Sequence, residues 1–116
     1  MQTESIIKSF FRRGDLLKSN SDNLKMSMQQ ALINITGKVQ GVGYRYSAFH
    51  VAQKLGLKGY VRNMSDGSVE ALVQGAKLSI SQFIEWCKEG PPHAKTDQVL
   101  TKWQELVGSY ENFEIL

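Results

Sequence analysis

From Gln30 onward the chain carries two hydrophobic periods in turn. Across residues 31–40, Leu32, Asn34 and Thr36 fall on one side and Ile33, Ile35 and Val39 mostly on the other, the period of a strand. Gly41 and Gly43 break that pattern. Tyr44, Ala48, Val51, Ala52 and Leu55 then recur at helical spacing, and Gly56 is placed to end the helix. Residues 57–63 read as a second strand, and Asp66-Gly67 is a hairpin signal. Residues 68–75 read as a third strand, with Val69, Ala71 and Val73 opposed to Ser68, Glu70 and Leu72. A second helix is predicted over 76–88, its apolar stripe made of Ile80, Phe83, Ile84 and Cys87, and Gly90-Pro91-Pro92 stops it. Residues 97–103, with Val99, Thr101 and Trp103 on one face, and residues 110–115 complete the strands. This order predicts an α+β class, a ferredoxin-like βαββαβ sandwich with an antiparallel sheet, two helices on one face and one additional strand. Such a fold hosts many functions and identifies none.

Residues 1–29 lack this regularity and are expected to be a loosely ordered N-terminal extension, followed by one domain over 30–116. A short amphipathic helix is conceivable across residues 6–17, but Gly14 interrupts it. A secretory signal is not expected, because Lys8 breaks the apolar stretch and the charges follow it. Glu4 and Asp15 argue against a mitochondrial-type transit peptide. Met26 and Met28 are alternative candidate starts for the chain, and the sequence does not choose between them.

A length of 116 residues suits one domain with a sizeable core. No apolar run approaches the roughly 20 residues of a membrane span, so no membrane partner is expected. The lone cysteine, Cys87, excludes an internal disulfide and implies a reducing compartment, hence a cytoplasmic location. The formal net charge is +3, but residues 31–116 hold nine basic and eight acidic residues. That balance is thin for a nucleic-acid-binding surface.

The stretch Gly37–Arg45, GKVQGVGYR, is where chemistry is expected. Glycine allows backbone conformations with positive φ and lets a ligand approach the main chain. Successive amide N–H groups in such a turn make a concave site for an anion, and the following helix adds its unsatisfied amides and dipole. Arg45 lies in the first turn of that helix, where the dipole disfavours a cation unless an anion is near. Its guanidinium matches phosphate oxygens bidentately, as lysine cannot. The stretch lacks the GK[ST] ending of a nucleotide P-loop and is not GxGxxG. Taken alone, a glycine turn of this kind is weak evidence of a site.

Two motifs carry a resemblance to a known family. Val39-Gln40-Gly41-Val42-Gly43-Tyr44-Arg45, then a helix, then Gly59-Tyr60-Val61-Arg62-Asn63, resembles the acylphosphatase family; DGSVE, GPP and the closing YENFEI strand agree with it. The resemblance covers about residues 31–116. It implies hydrolysis of the carboxyl-phosphate bond of acyl phosphates, with no cofactor and no metal. It implies Arg45 and Asn63 as catalytic residues and Gln40, Gly41, Val42, Gly43, Tyr44 and Arg45 as the phosphate-binding loop. Its partners would be a small acyl phosphate and a product-like anion, phosphate or sulfate, with no nucleic acid. A monomer is the simple expectation. Tyr44 stands where the family usually has phenylalanine, Met64 where it often has threonine, and the long extension exceeds the family's compact length.

Those residue types suit that reaction. The leaving carboxylate of a mixed anhydride is already good, so an enzyme need only hold the phosphoryl group, spread its charge and aim one water. Arg45 and the loop amides would bind the equatorial oxygens. Asn63, both donor and acceptor, would position the water without repelling the phosphate. Other candidates read as structural or solvated: Arg62 on the opposite sheet face from Asn63, His50 on the exposed side of its helix, His93 in a connection, Cys87 on the apolar stripe, Trp86 and Trp103 in packing. Two rival classes are an RNA-recognition module and an anion-binding regulatory domain. Lys58-Gly59-Tyr60-Val61-Arg62 partly matches the first, but on the second strand, with Val61 and Asn63 where aromatics belong.

Overall fold

Alternation along the first strand sets the architecture. In the computed structural model, which describes residues 28–116, strand β1 (Met28–Lys38) turns Ala31, Ile33 and Ile35 to one side, all fully buried. Helix α1 (Tyr44–Lys54) buries Tyr44, Ala48, Val51 and Ala52 on that same side. Strands β2 (Lys58–Asn63) and β3 (Val69–Ala76) follow, then helix α2 (Lys77–Glu89), β4 (Lys95–Gln104) and the short β5 (Phe113–Ile115). The expectations for residues 1–27 lie outside the described residues. Met28 and Gln29 already pair with Ala76 and Gly75, so the first strand begins two residues before the predicted domain boundary.

The sheet order is β4-β1-β3-β2-β5. β1 is antiparallel to β3 and β4, and β3 is antiparallel to β2. β1 and β2 therefore run parallel with β3 between them, the split βαβ arrangement predicted from the element order. Both helices pack on one face, over Ala31, Ile33, Ile35, Val61, Val69, Ala71 and Val73. Each fully buried isoleucine or valine among them contributes roughly 1.5–3 kcal/mol relative to exposure.

The last strand departs from the expectation. Only Phe113–Ile115 are strand, and they pair parallel to β2, which makes the sheet mixed. Residues 105–112 instead cross the sheet face away from the helices, and their backbone bonds to side chains. Val107 N donates to Gln30 Oε1 at 3.4 Å, and Tyr110 N donates to Gln74 Oε1 at 3.1 Å. Gln30, Gln74 and Gln104 form a ladder across three strands, with Gln30 Nε2 to Gln104 Oε1 at 2.7 Å and Gln74 Nε2 to Gln30 Oε1 at 2.8 Å. The amide row satisfies itself and leaves acceptors for the crossing chain, so strand pairing is not needed there.

Candidate active site

Topology brings the glycine loop and Asn63 together. Because β1 and β2 are parallel, their C-terminal ends open at the same edge of the sheet. Ile35 and Asn63 both pair with Val69 of the strand between them. With roughly 4.8 Å between neighbouring strands, Ile35 and Asn63, 28 positions apart in sequence, stand about 10 Å apart across the sheet. Asn63 shares the helix side with Gly59 and Val61, while Arg62 points the other way and pairs with Glu70 at 2.8 Å.

The loop between β1 and α1 needs its glycines for two different reasons. Gly41 and Gly43 take φ of 76° and 78°, and a Cβ at either would meet nothing within 4 Å. Their requirement is conformational, and it leaves open space above the backbone. Gly37 takes φ of 125° where β1 shifts register against β4, and a Cβ there would collide with the Lys95 carbonyl. Gly43 is also the N-cap of α1; no side chain caps that end and no acid lies in the first turn. The leading amides of the helix thus remain available to a ligand.

Each loop side chain has a defined place. Val39 is buried beneath the loop and Val42 packs against the core. Gln40 Nε2 donates to the carbonyls of Met64 at 2.8 Å and Ser68 at 2.9 Å, clasping the β2–β3 hairpin. The hairpin is fixed on its far side as well. Asp66 Oδ1 accepts from Ser68 N at 2.9 Å and Ser68 Oγ at 2.6 Å, and Asn34 Nδ2 donates to Ser68 Oγ at 3.0 Å. Those two bonds from Ser68 hold the Asp66 carboxyl below the usual carboxylate range. The Tyr44 ring is buried against Trp86, with centroids 5.3 Å apart, and its hydroxyl donates to the Cys87 carbonyl at 2.6 Å. Burial first, then the neighbouring Cys87, pushes that phenol's pKa far up, so it is a neutral donor.

Arg45 Nη1 donates to the main-chain oxygen of Leu116 at 2.8 Å. One of its five N–H groups thus aims the guanidinium, and the others stay free to meet oxygen acceptors. The concave site has a volume of about 190 Å³ and is lined by Gly41, Gly43, Tyr44, Arg45 and Asn63, together with Val39, Tyr46 and Ile115. The side chains of Gln40 and Val42 point elsewhere; what these residues can offer a ligand is backbone. The Asn63 side chain forms no hydrogen bond with any described residue and is exposed.

The sequence reading did not single out Tyr46 or Ile115 as lining the site, nor the Gln40 clasp and the Leu116 bond to Arg45. Tyr46 carried a signal, a large aromatic directly after the arginine on a helix N-terminus. Ile115 carried none, because its approach depends on a parallel pairing that no local pattern encodes. His50 is exposed with its ring edge on Tyr46 at 4.5 Å, and His93 is exposed in a connection. Among the described residues no group of three or more His, Cys, Asp or Glu side chains is placed to hold a metal.

Fold and site together describe a small α+β domain whose glycine loop, helix N-terminus and aimed guanidinium suit a compact anion. Known proteins agree on the class. The acylphosphatase family profile matches residues 31–115. An acylphosphatase of Aliivibrio fischeri is 52% identical over 84 residues, covering 70% of this chain and 93% of the relative. The solved acylphosphatase of Coxiella burnetii aligns with a TM-score of 0.73 at 36% identity, over 80% of this chain and 97% of that one. That of Bacillus subtilis aligns at 0.74 and 34% identity, over 76% and 98%. The chain belongs to the acylphosphatase family, and the activity that goes with membership is acyl-phosphate hydrolysis.

Proposed function

We propose that this domain hydrolyses acyl phosphates by holding the phosphoryl group in the Gln40–Arg45 backbone cradle, against the Arg45 guanidinium, while Asn63 positions the attacking water. The observation that carries the reading is the convergence of Gly41, Gly43, Arg45 and Asn63 on one concave site at one edge of the sheet. Water attacks phosphorus, the bond from phosphorus to the acyl oxygen breaks, the carboxylate leaves with the bonding pair, and the water proton passes to a phosphate oxygen. Because the leaving group is good, no strong base and no covalent intermediate is required. Charge on the equatorial oxygens is met by prearranged N–H donors, each worth roughly 3–4 kcal/mol when its loss is read in kcat. Asn63 lies on the strand end facing the loop, uses none of its hydrogen-bonding capacity on described neighbours, and carries no charge to repel the substrate. In this reading the reaction needs no metal, and the domain acts as a cytoplasmic monomer.

The test is benzoyl phosphate hydrolysis in excess chelator by the wild type, Arg45→Ala and Asn63→Ala. Arg45→Ala lowers both affinity for inorganic phosphate and turnover. Asn63→Ala lowers kcat by roughly 10²–10³ and leaves phosphate affinity nearly intact. A folded wild type that binds phosphate but turns nothing over would leave an anion-binding domain. Loss of phosphate affinity in Asn63→Ala would overturn the water-positioning role.

A further inference from the structure

The glycine loop, Arg45 and Asn63 serve the phosphoryl end of an acyl phosphate, and its acyl end must meet other walls of the site. We infer that Tyr46 and Ile115 form an acyl subsite that selects apolar, preferably flat, acyl groups over small or charged ones. This inference rests on the hydrolytic reading of the same site. The walls of the site sort into three kinds. Gly41, Gly43, Arg45 and Asn63 are the polar seat, while Val39 and the Tyr44 ring are buried below it. What remains of the lining is Tyr46 and Ile115, both exposed, at 64% and 41% of their full accessibility. A group attached to a seated phosphate must leave past surfaces that are not already holding it, and these two are the ones available.

Their placement is defined. Tyr46 follows Arg45 in the first turn of α1, and the His50 ring meets its ring edge-on at 4.5 Å. Ile115 sits on β5 opposite Val61, on the same sheet side as Phe113, and the next residue supplies the main-chain oxygen that aims Arg45. The two side chains come from different elements and line the same concave site as Arg45. A phenol ring and a branched aliphatic chain gain by covering apolar surface and aromatic rings. The only ionised side chain of the described lining is Arg45, already committed to the phosphoryl group and to Leu116. A second carboxylate or phosphate on the acyl part would find no cation there and would be desolvated against Tyr46 and Ile115.

The experiment compares kcat/KM on benzoyl phosphate, acetyl phosphate and succinyl phosphate for wild type, Tyr46→Ser, Tyr46→Phe and Ile115→Ser. We expect the wild type to favour the benzoyl compound. Tyr46→Ser and Ile115→Ser should each cut kcat/KM on benzoyl phosphate about tenfold more than on acetyl phosphate, mostly through KM, and Tyr46→Phe should restore the preference. Equal losses on both substrates, no loss, or a Tyr46→Phe variant that behaves like Tyr46→Ser would overturn the subsite. Titration with the non-hydrolysable phenacylphosphonate and acetonylphosphonate separates the two readings. A phenacyl preference lost in both serine variants, in a chain without turnover, would keep the subsite and sink the hydrolytic reading. No difference between the two phosphonates would sink the subsite alone.

Discussion

The Tyr44 hydroxyl donates a 2.6 Å hydrogen bond to the carbonyl of Cys87, tying the start of α1 to the end of α2. Cys87 lies in the last turn of α2, where carbonyls lack intrahelical partners. Thr96 Oγ1 reaches the same oxygen at 3.3 Å. The bond explains how a tyrosine is accommodated at the position before Arg45. Tyr44→Phe removes a buried donor but leaves the acceptor partly satisfied by Thr96. We expect a loss of about 1 kcal/mol in urea unfolding, with an unchanged m-value and turnover close to wild type. A loss above roughly 3 kcal/mol would mean that the hydroxyl organises more than this one contact.

Glycines separate into a conformational and a steric class, and alanine substitution distinguishes them. At Gly41 and Gly43 a Cβ meets nothing within 4 Å, so alanine there costs only the positive φ, roughly 1–2 kcal/mol each. The protein stays folded, but the backbone can relieve the strain by turning its amides out of the cradle, so phosphate affinity falls. At Gly59 a Cβ would collide with the Leu72 carbonyl oxygen inside the sheet, so Gly59→Ala should unfold the domain or lower its melting temperature far more. Circular dichroism melts beside phosphate titrations check both. A Gly43→Ala protein with native stability and full phosphate affinity would remove the loop conformation from the account.

Much of this was legible in the chain. The alternation at Ile33/Ile35 and Val69/Ala71/Val73 placed the core face, the Tyr44–Leu55 spacing placed α1, and strand parity put Arg62 and Asn63 on opposite faces. What escaped was long-range. The stripe predicted for α2 omitted Trp86 and Gln82, which are 1% and 4% exposed. Trp86 packs on Tyr44 of α1, so α2 is covered from its neighbouring helix as well as from the sheet, which widens its buried face beyond one stripe. Residues 110–112 alternate like a strand, yet the Tyr110 amide finds Gln74 instead of a strand partner. Arg45 and Asn63 could be named from their motifs, but Gln40's side chain could not be assigned, because its acceptors belong to a hairpin more than twenty residues away.

That hairpin clasp predicts a phenotype of its own. Gln40→Ala removes the donor shared by the Met64 and Ser68 carbonyls, which keep their backbone donors Gly67 N and Met64 N, at a cost of about 1 kcal/mol. The loop and the Asn63 end of β2 then lose their direct link. We expect kcat to fall about tenfold, with a smaller change in KM, since loop amides and guanidinium remain. Gln40→Glu should be worse, because a carboxylate would face two carbonyl oxygens. Turnover equal to wild type in Gln40→Ala would show that the hairpin is positioned by Asp66, Ser68 and Asn34 alone.

Cys87 makes stability depend on alkaline pH. The thiol is fully buried, and burial pushes its pKa up to about 12, the Tyr44 hydrogen bond opposing this in part. In the unfolded chain it returns to roughly 8.5. The raised native value means the unfolded state ionises first, so stability is complete below about pH 8.5 and declines as pH rises towards 12. The slope can reach about 1.4 kcal/mol per pH unit, so between pH 8.5 and 10 this thiol accounts for about 2 kcal/mol. Tyr44, also raised by burial, adds to the decline, so the measurement is the pH dependence of the urea midpoint in wild type against Cys87→Ala. The variant starts lower because of the cavity it creates but should lose less stability over that interval. Ellman's reagent at pH 8 should label native protein only at the rate of unfolding. Rapid labelling of native protein, or equal pH slopes in the two chains, would refute the buried neutral thiol.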